Sequence, residues 1–245
     1  MSVLAQEQRT VLVTGASSGI GAAITEKLLG AGHHVIGIGR DFSKIDFANA
    51  CFSPIQLDLA DLDRLPKALE ALQQRFPPID TLILAAGIGD FGCLEEFSYI
   101  RIRKLVELNF LSQAYIARAW IPRMKRRRQG DVIFIGSEAG LKGSRKGTVY
   151  CASKFALRGF AQALREECGS CGVRVSLINP GMVKSRFYEA LDFEPGENES
   201  QHLLPLDVAE LVLLLLNLRQ GCVVDEINLT PLQKVIHFKK RGKAK

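Results

Sequence analysis

Thr14-Gly15-Ala16-Ser17-Ser18-Gly19-Ile20-Gly21 is the stretch whose reading decides the architecture. It follows residues 10–14, an apolar run of strand length, and opens residues 20–29, which have helical spacing. A glycine-rich turn between a strand and a helix lets backbone approach a pyrophosphate. Gly15 permits the sharp turn, Gly19 brings backbone to the phosphates, and Gly21 lets the helix pack on the strand. The helix N-terminus then offers unpaired N–H groups and partial positive charge to an anion. The spacing is G-x3-G-x-G rather than the commoner G-x-G-x-x-G, so the turn alone also fits a plain tight turn.

Outward from this turn, short apolar runs alternate with helical patterns along the whole chain. Residues 10–14, 34–39, 54–57, 81–85, 131–136, 174–179 and 223–229 read as strands, rich in Val, Ile and Leu. They are mostly apolar on both faces, as strands covered by helices on each side must be. Residues 20–29, 62–75, 99–128, 150–167 and 207–218 read as helices. Seven strands joined by helical crossovers predict an α/β fold, a Rossmann-like doubly wound parallel sheet. No repeat, linker or boundary divides residues 1–245, so a single domain is expected. The least regular segment, 187–204, reads as a solvated loop or as a flap over a site. Pro122 falls inside the long helix and should kink it or leave it locally unbonded.

Composition narrows the function classes. The 245 residues are 47% hydrophobic and 24% charged, an ordinary globular balance. Lys and Arg number 32 against 26 Asp and Glu, yet five of the basic residues lie in a tail at 239–245. Without them 27 face 26, so the basic character is weak support for a nucleic-acid partner, and none is expected. No segment reaches the ~18 apolar residues of a membrane span. Residues 1–9 lack the basic-then-apolar order of a signal peptide, and six scattered cysteines make no disulfide framework. A reduced, cytoplasmic protein is expected. The lone Cys168-Gly169-Ser170-Cys171 has no second pair for zinc and ends a helix where redox pairs begin one, so no metal is expected. His33-His34 reads as loop, and the basic run 123–128 as a solvated helix end.

Two further features sharpen the chemistry. The second strand ends Ile38-Gly39-Arg40, with no carboxylate for a ribose 2′-hydroxyl and with a guanidinium suited to a 2′-phosphate. NADP(H) is therefore favoured and NAD(H) is the alternative, with Asp41 free to pair with Arg40 or to face solvent. Tyr150-Cys151-Ala152-Ser153-Lys154 places a phenol and an ammonium at i and i+4 on one helix face. A nearby cation favours phenolate, so Lys154 is expected to lower the Tyr150 pKa and make it a tuned proton donor. Ser137 follows the fifth strand at the carboxyl edge, where open parallel sheets bind ligands.

With these residues in order, the chain resembles the short-chain dehydrogenase/reductase family over essentially its whole length. Besides the glycine turn, the likeness runs through Asp58, Ala86-Gly87, Asn109, Ser137, Tyr150, Lys154, Asn179-Pro180-Gly181 and Ser185. The resemblance implies an NADP(H)-dependent oxidoreductase interconverting a carbonyl compound and its alcohol. Tyr150 would be acid and base, Ser137 would hold the substrate oxygen, and Lys154 would bind the nicotinamide ribose. Asn109 would anchor a water that relays protons to Lys154. The cofactor would meet Gly15, Ser17, Ser18, Gly19, Ile20 and Gly21 at its phosphates, with Asp58 and Leu59 toward the adenine. Ala86 and Gly87 would lie along it, and Pro180, Gly181, Val183 and Ser185 around the nicotinamide. Similar proteins pair through their two long helices, which implies a homodimer or homotetramer. Phe91, Phe187 and Tyr188 would make part of the substrate wall apolar. One departure stands out: the family's Asn-Asn-Ala-Gly is here Leu84-Ala85-Ala86-Gly87, which predicts looser structure at that strand end. That departure leaves room for a silent nucleotide-binding sensor or scaffold as the alternative function.

Overall fold

The computed structural model describes residues 8–45 and 47–239. Its centre is a seven-stranded, wholly parallel sheet. In chain order the strands are β1 (Thr10–Thr14), β2 (His34–Gly39), β3 (Phe52–Gln56), β4 (Thr81–Leu84), β5 (Gly130–Ile135), β6 (Val173–Pro180) and, after a small ribbon strand β7 (Phe193–Pro195), β8 (Glu226–Leu229). Across the sheet they lie β3-β2-β1-β4-β5-β6-β8, so the winding reverses between β1 and β4. The reversal opens a crevice at the carboxyl ends of the strands, as in Rossmann-like folds. β7 pairs outside the sheet with β9 (Ile236–Phe238).

Period-two alternation within each strand builds a core on each face. Leu12, Ile36, Ile38, Leu82 and Leu84 face one side, under α2 (Leu65–Arg75), α4 (Ser112–Arg127) and α5 (Thr148–Cys168). Val11, Val13, Val35, Ile83, Ile133 and Ile135 face the other, under α1 (Gly19–Gly30) and α6 (Pro205–Leu216). All of these strand side chains are at most 4% exposed.

Three expectations change in detail. The helix expected over 99–128 is α3 (Tyr99–Val106), a π turn at Glu107–Leu111, and α4, which runs on through Pro122. Segment 187–204 is not simply irregular, because it contributes β7 to the antiparallel ribbon with the C-terminal β9. His33 is buried, its Nδ1 accepting the Arg9 N–H at 3.3 Å. Of the basic tail, only Lys239 lies within the described residues.

The amino ends of the strands are held by charge. Asp131 on β5 accepts from Arg9 Nη1 at 2.7 Å and from Arg174 Nε at 2.6 Å. Arg174 Nη1 also reaches the Leu218 carbonyl at 3.0 Å, and Arg9 Nη2 that of Leu216 at 3.1 Å, which ties the end of α6 to the sheet. Removing one partner from such a cluster strands its buried charges. Asp131→Ala should therefore cost about 3–5 kcal/mol of stability in urea unfolding. Because the cluster lies at the sheet end opposite the crevice, nucleotide affinity of the folded fraction should stay unchanged.

Candidate active site

The glycine turn sits in the crevice and is built by close approach. Gly15 (φ +69°) and Gly19 (φ +53°) occupy the left-handed region that favours glycine. A Cβ on Gly21 would stand 2.2 Å from the Gly15 carbonyl oxygen, so only glycine lets α1 start this close to β1. Ser18, extended at φ −165°, makes no side-chain cap to α1. The first N–H groups of that helix thus lack the side-chain acceptor that a helix start usually recruits, which suits a phosphate ligand. A Cβ on Gly19 would lie 3.5 Å from Ser185 Cβ, so Ser185 stands across the turn from it. Ser17 lies against Gly39, where a Cβ would come within 2.7 Å of the seryl Oγ.

The other expected cofactor residues line the same edge. Arg40 follows β2 and is exposed, while Asp41 Oδ1 accepts from the Ser43 N–H at 2.8 Å. That backbone bond holds the Asp41 carboxyl below its usual range, and no ion pair to Arg40 is found among the described residues. Asp58 is exposed beyond β3 with Oδ1 on the Ala60 N–H at 3.0 Å, and Leu59 beside it is buried. Beyond β6, the Gly181 N–H donates to the Leu229 carbonyl at 2.7 Å, and buried Val183 bridges to Leu203. These groups could hold a dinucleotide from β3 across to β6.

The end of β4 is tighter than its missing amide predicts. Thr14 Oγ1 accepts from both the Ala85 and Ala86 N–H groups at 3.0 Å. Gln113 Nε2 donates to the Ala86 carbonyl at 3.0 Å. Asn109, fully buried in the π turn, takes the Ile88 N–H on Oδ1 at 2.9 Å. Its Nδ2 donates to the Ile88 carbonyl at 3.0 Å and to Ser153 Oγ at 3.2 Å. Thr14 and Ser153 stand inside the quoted motifs without an assigned role, and Gln113 lies outside any motif; all three are supporting residues whose part only the fold reveals.

Helix α5 carries the phenol and the ammonium. Lys154 Nζ donates to the Ile135 carbonyl at 3.2 Å and lies 6.0 Å from the Tyr150 ring centre. Gly87 borders both Lys154 Nζ and Asn109 Oδ1, since a Cβ there would be 3.6 and 3.2 Å from them. Ser137 Oγ accepts the Ala139 N–H at 3.1 Å, which leaves the hydroxyl proton free to be donated. Burial pushes the Tyr150 phenol up to about 12, against the lowering hydrogen bond from Ser137, and Cys151 and Glu138 add to the rise. Burial also pulls Lys154 down to about 8. The expected lowering of Tyr150 by Lys154 is thus not what this protein frame produces: Ser137 is the lowering partner, and desolvation outweighs it.

A phenol, a hydroxyl and an ammonium thus stand at the sheet edge that also carries the glycine turn, with the groups that a proton transfer beside a bound dinucleotide could use. Residues 9–194 match the family model for short chain dehydrogenases. The chain belongs to the short-chain dehydrogenase family. It is therefore an NAD(P)-dependent oxidoreductase acting on CH–OH or C=O groups. Among its relatives is the NADP-dependent 3-hydroxy acid dehydrogenase of Schizosaccharomyces pombe, 30% identical over 91% of this chain and 92% of that one. Human retinol dehydrogenase 8 is 33% identical over 75% of this chain and 62% of its own length. Among solved structures, an alcohol dehydrogenase from the archaeon Thermococcus sibiricus, complexed with 5-hydroxy-NADP, superposes with a TM-score of 0.83. That pair is 25% identical over 94% of this chain and 99% of the other.

For this short-chain dehydrogenase the Lys154 shift has a measurable sign. A lysine lowered to about 8 loses its charge as pH rises through that value. If the ammonium holds the nucleotide, the NADPH dissociation constant should be roughly tenfold weaker at pH 9 than at pH 7. Fluorescence titration would check this, and Lys154→Met should remove the slope.

Proposed function

We propose that this chain is an NADP(H)-dependent oxidoreductase interconverting a carbonyl compound and its alcohol, with Tyr150 as general acid and base. The observation that carries the reading is the phenol held against Ser137, one helical turn from Lys154, at the edge that also holds the glycine turn. The nicotinamide supplies the hydride. The chain's residues supply orientation and the proton.

In carbonyl reduction, Tyr150 gives its phenolic proton to the substrate oxygen as the new C–H bond forms at the carbonyl carbon. Ser137 donates a second hydrogen bond to that oxygen, and the two together stabilise its developing negative charge. Lys154 holds the ribose hydroxyls and restores the phenol's proton. The Asn109 side-chain amide is spent on Ile88 and Ser153, so a water relay at this residue would use its backbone carbonyl. Burial raises the phenol to about 12, which makes it a weaker acid, so donation relies on Ser137 and on the negative charge growing at the substrate oxygen.

NADP(H) is favoured over NAD(H) because Arg40 is exposed at the end of β2 while Asp41 is occupied by Ser43. NADP or an NADP derivative is also named with several of the solved relatives. The pyrophosphate would lie over Gly15 to Gly21, with Asp58 and Leu59 toward the adenine. Ala86, Gly87, Pro180, Gly181, Val183 and Ser185 would flank the nicotinamide half. The chain would act as a single domain in the cytoplasm. It would pair into dimers or tetramers through the long helices, where Tyr115 and Phe155 are exposed.

Tyr150→Phe should lower kcat for NADPH-dependent reduction of a ketone and aldehyde panel by about 10²–10⁴. NADPH affinity should change by less than about threefold, and undiminished turnover would refute the proton-donor role. Arg40→Ala should weaken NADPH binding by roughly 10–100-fold and leave NADH binding unchanged, as loss of a charged phosphate contact requires.

A further inference from the structure

Tyr150 is 7% exposed, and a closed circuit of aromatic rings covers it. Ring centres separate Phe91 from Tyr150 by 4.9 Å, Tyr150 from Phe187 by 6.0 Å and Phe187 from Tyr188 by 5.1 Å. Tyr188 lies 5.8 Å from Phe193, and Phe193 lies 5.0 Å from Phe91, which closes the circuit. The rings converge from four places: the segment after β4, helix α5, the turn after β6, and β7. Gly89 makes room for one of them, since a Cβ there would be 2.4 Å from Phe187 Cζ.

We propose that this circuit determines specificity. It admits carbonyl compounds bearing a ring-sized apolar group, and the C-terminal strand β9 is the latch that keeps it assembled. The inference rests on the oxidoreductase reading above and names the substrate class of that same site. A substrate oxygen must reach the hydroxyls of Tyr150 and Ser137, so its substituent has to part rings that now touch. Parting them exposes apolar surface, and only a substituent with comparable apolar area covers it again. A carboxylate placed among these ring faces would lose its water without gaining a partner.

The latch is visible in the register. Phe193, Glu194 and Pro195 face Phe238, His237 and Ile236 in antiparallel order. The Lys239 N–H donates to the Asp192 carbonyl at 2.8 Å and the Gly196 N–H to that of Val235 at 3.1 Å. Antiparallel alternation makes Glu194 and His237 the hydrogen-bonded pair between these two. Pro195, which has no N–H, falls in a non-hydrogen-bonded pair, where none is needed. Phe193, Pro195, Ile236 and Phe238 share one face of the ribbon, so an apolar lip continues from the circuit onto Ile236 and Phe238, which are 53% and 75% exposed. Lys234 Nζ reaches Glu138 Oε2 at 2.5 Å, next to Ser137, and Lys239 Nζ bonds the Tyr188 carbonyl. The C-terminal segment thus grips the site from both sides, and His237 and Lys234 act as positioning residues.

The test uses the full chain with NADPH and compares acetophenone with pyruvate in wild type, Phe193→Ala and His237→Pro. Acetophenone should exceed pyruvate in kcat/KM by about 100-fold, the scale set by apolar pocket contacts. Both variants should cut that ratio at least ~10-fold, mainly through KM, while the NADPH dissociation constant shows that each is folded. A second readout needs no turnover: calorimetric binding of acetophenone to the enzyme–NADP⁺ complex should weaken in both variants. An unchanged ratio across the three proteins, a wild-type preference for pyruvate, or no acetophenone binding overturns the cage. Turnover of pyruvate without binding of acetophenone sinks the cage and leaves the oxidoreductase reading standing. Binding of acetophenone that both variants weaken, with no carbonyl turned over, supports the cage and sinks the proton-transfer reading.

Discussion

One amide holds the crevice edge of the sheet together. Asn109 bonds both backbone groups of Ile88 and also Ser153, so a single buried side chain joins the exit of β4, the long helix and α5. An α-helix cannot present that side chain at will, and here the helix widens into a π turn over the five residues that include it. Such turns forfeit regular hydrogen bonding and persist where a side chain or backbone group is needed in an unusual place. The compensation is local: Gln113 returns a bond to the Asn109 carbonyl at 3.1 Å and Ser112 Oγ one to that of Leu108 at 2.7 Å. Because Ser153 lies on the same helix as Tyr150 and Lys154, the clasp sets where the phenol and ammonium stand relative to the crossover crevice.

The pKa directions of those two groups have a common origin. Burial penalises whichever form is charged, which pushes the phenol up and the ammonium down, though Lys154 at about 8 is still mostly protonated at neutral pH. In this frame the pair is pushed toward two neutral groups, the reverse of a phenolate–ammonium pair. Among the causes acting on Tyr150 from the described residues, the Ser137 hydrogen bond is the one that favours the phenolate. A raised phenol pKa makes proton donation harder, so groups that stabilise the phenolate, Ser137 first, have to offset the cost of burial. Glu138 works against a phenolate at both Tyr150 and Tyr188, and the ion pair with Lys234 offsets part of that field.

The sheet and the glycine turn were legible because their signals are repetitive. Buried parallel strands must be apolar on both faces, and a turn at Gly21 admits no Cβ. Strand ends shifted by one to three residues, since pairing rather than composition ends a strand: β3 begins at Phe52, where it pairs with Val35. Ser137, Tyr150 and Lys154 were legible as a set, and the structure brings them together. The clasp was not, because nothing in the motifs that hold Thr14 and Ser153, or around Gln113, says which backbone group each side chain will meet. β7 and β9 were hidden for a different reason. Phe193-Glu194-Pro195 looks like a turn, and Val235-Ile236-His237-Phe238 runs into the basic tail. Each strand makes sense only opposite the other.

That mutual dependence separates the two ends of the sheet physically. At the amino edge, Arg9, Asp131 and Arg174 fix the strands to α6 through short charged bonds within a buried setting. Such a cluster is stiff, since any movement leaves a charge without its partner. At the carboxyl edge, the cover over Tyr150 is made of ring contacts, non-directional and individually weak, which the hydrogen-bonded β7–β9 ribbon latches. Rings can part and re-close without stranding a charge. The proposed proton transfer, which needs water excluded yet substrate exchanged every turnover, fits that asymmetry of a fixed frame beneath a cover that can part.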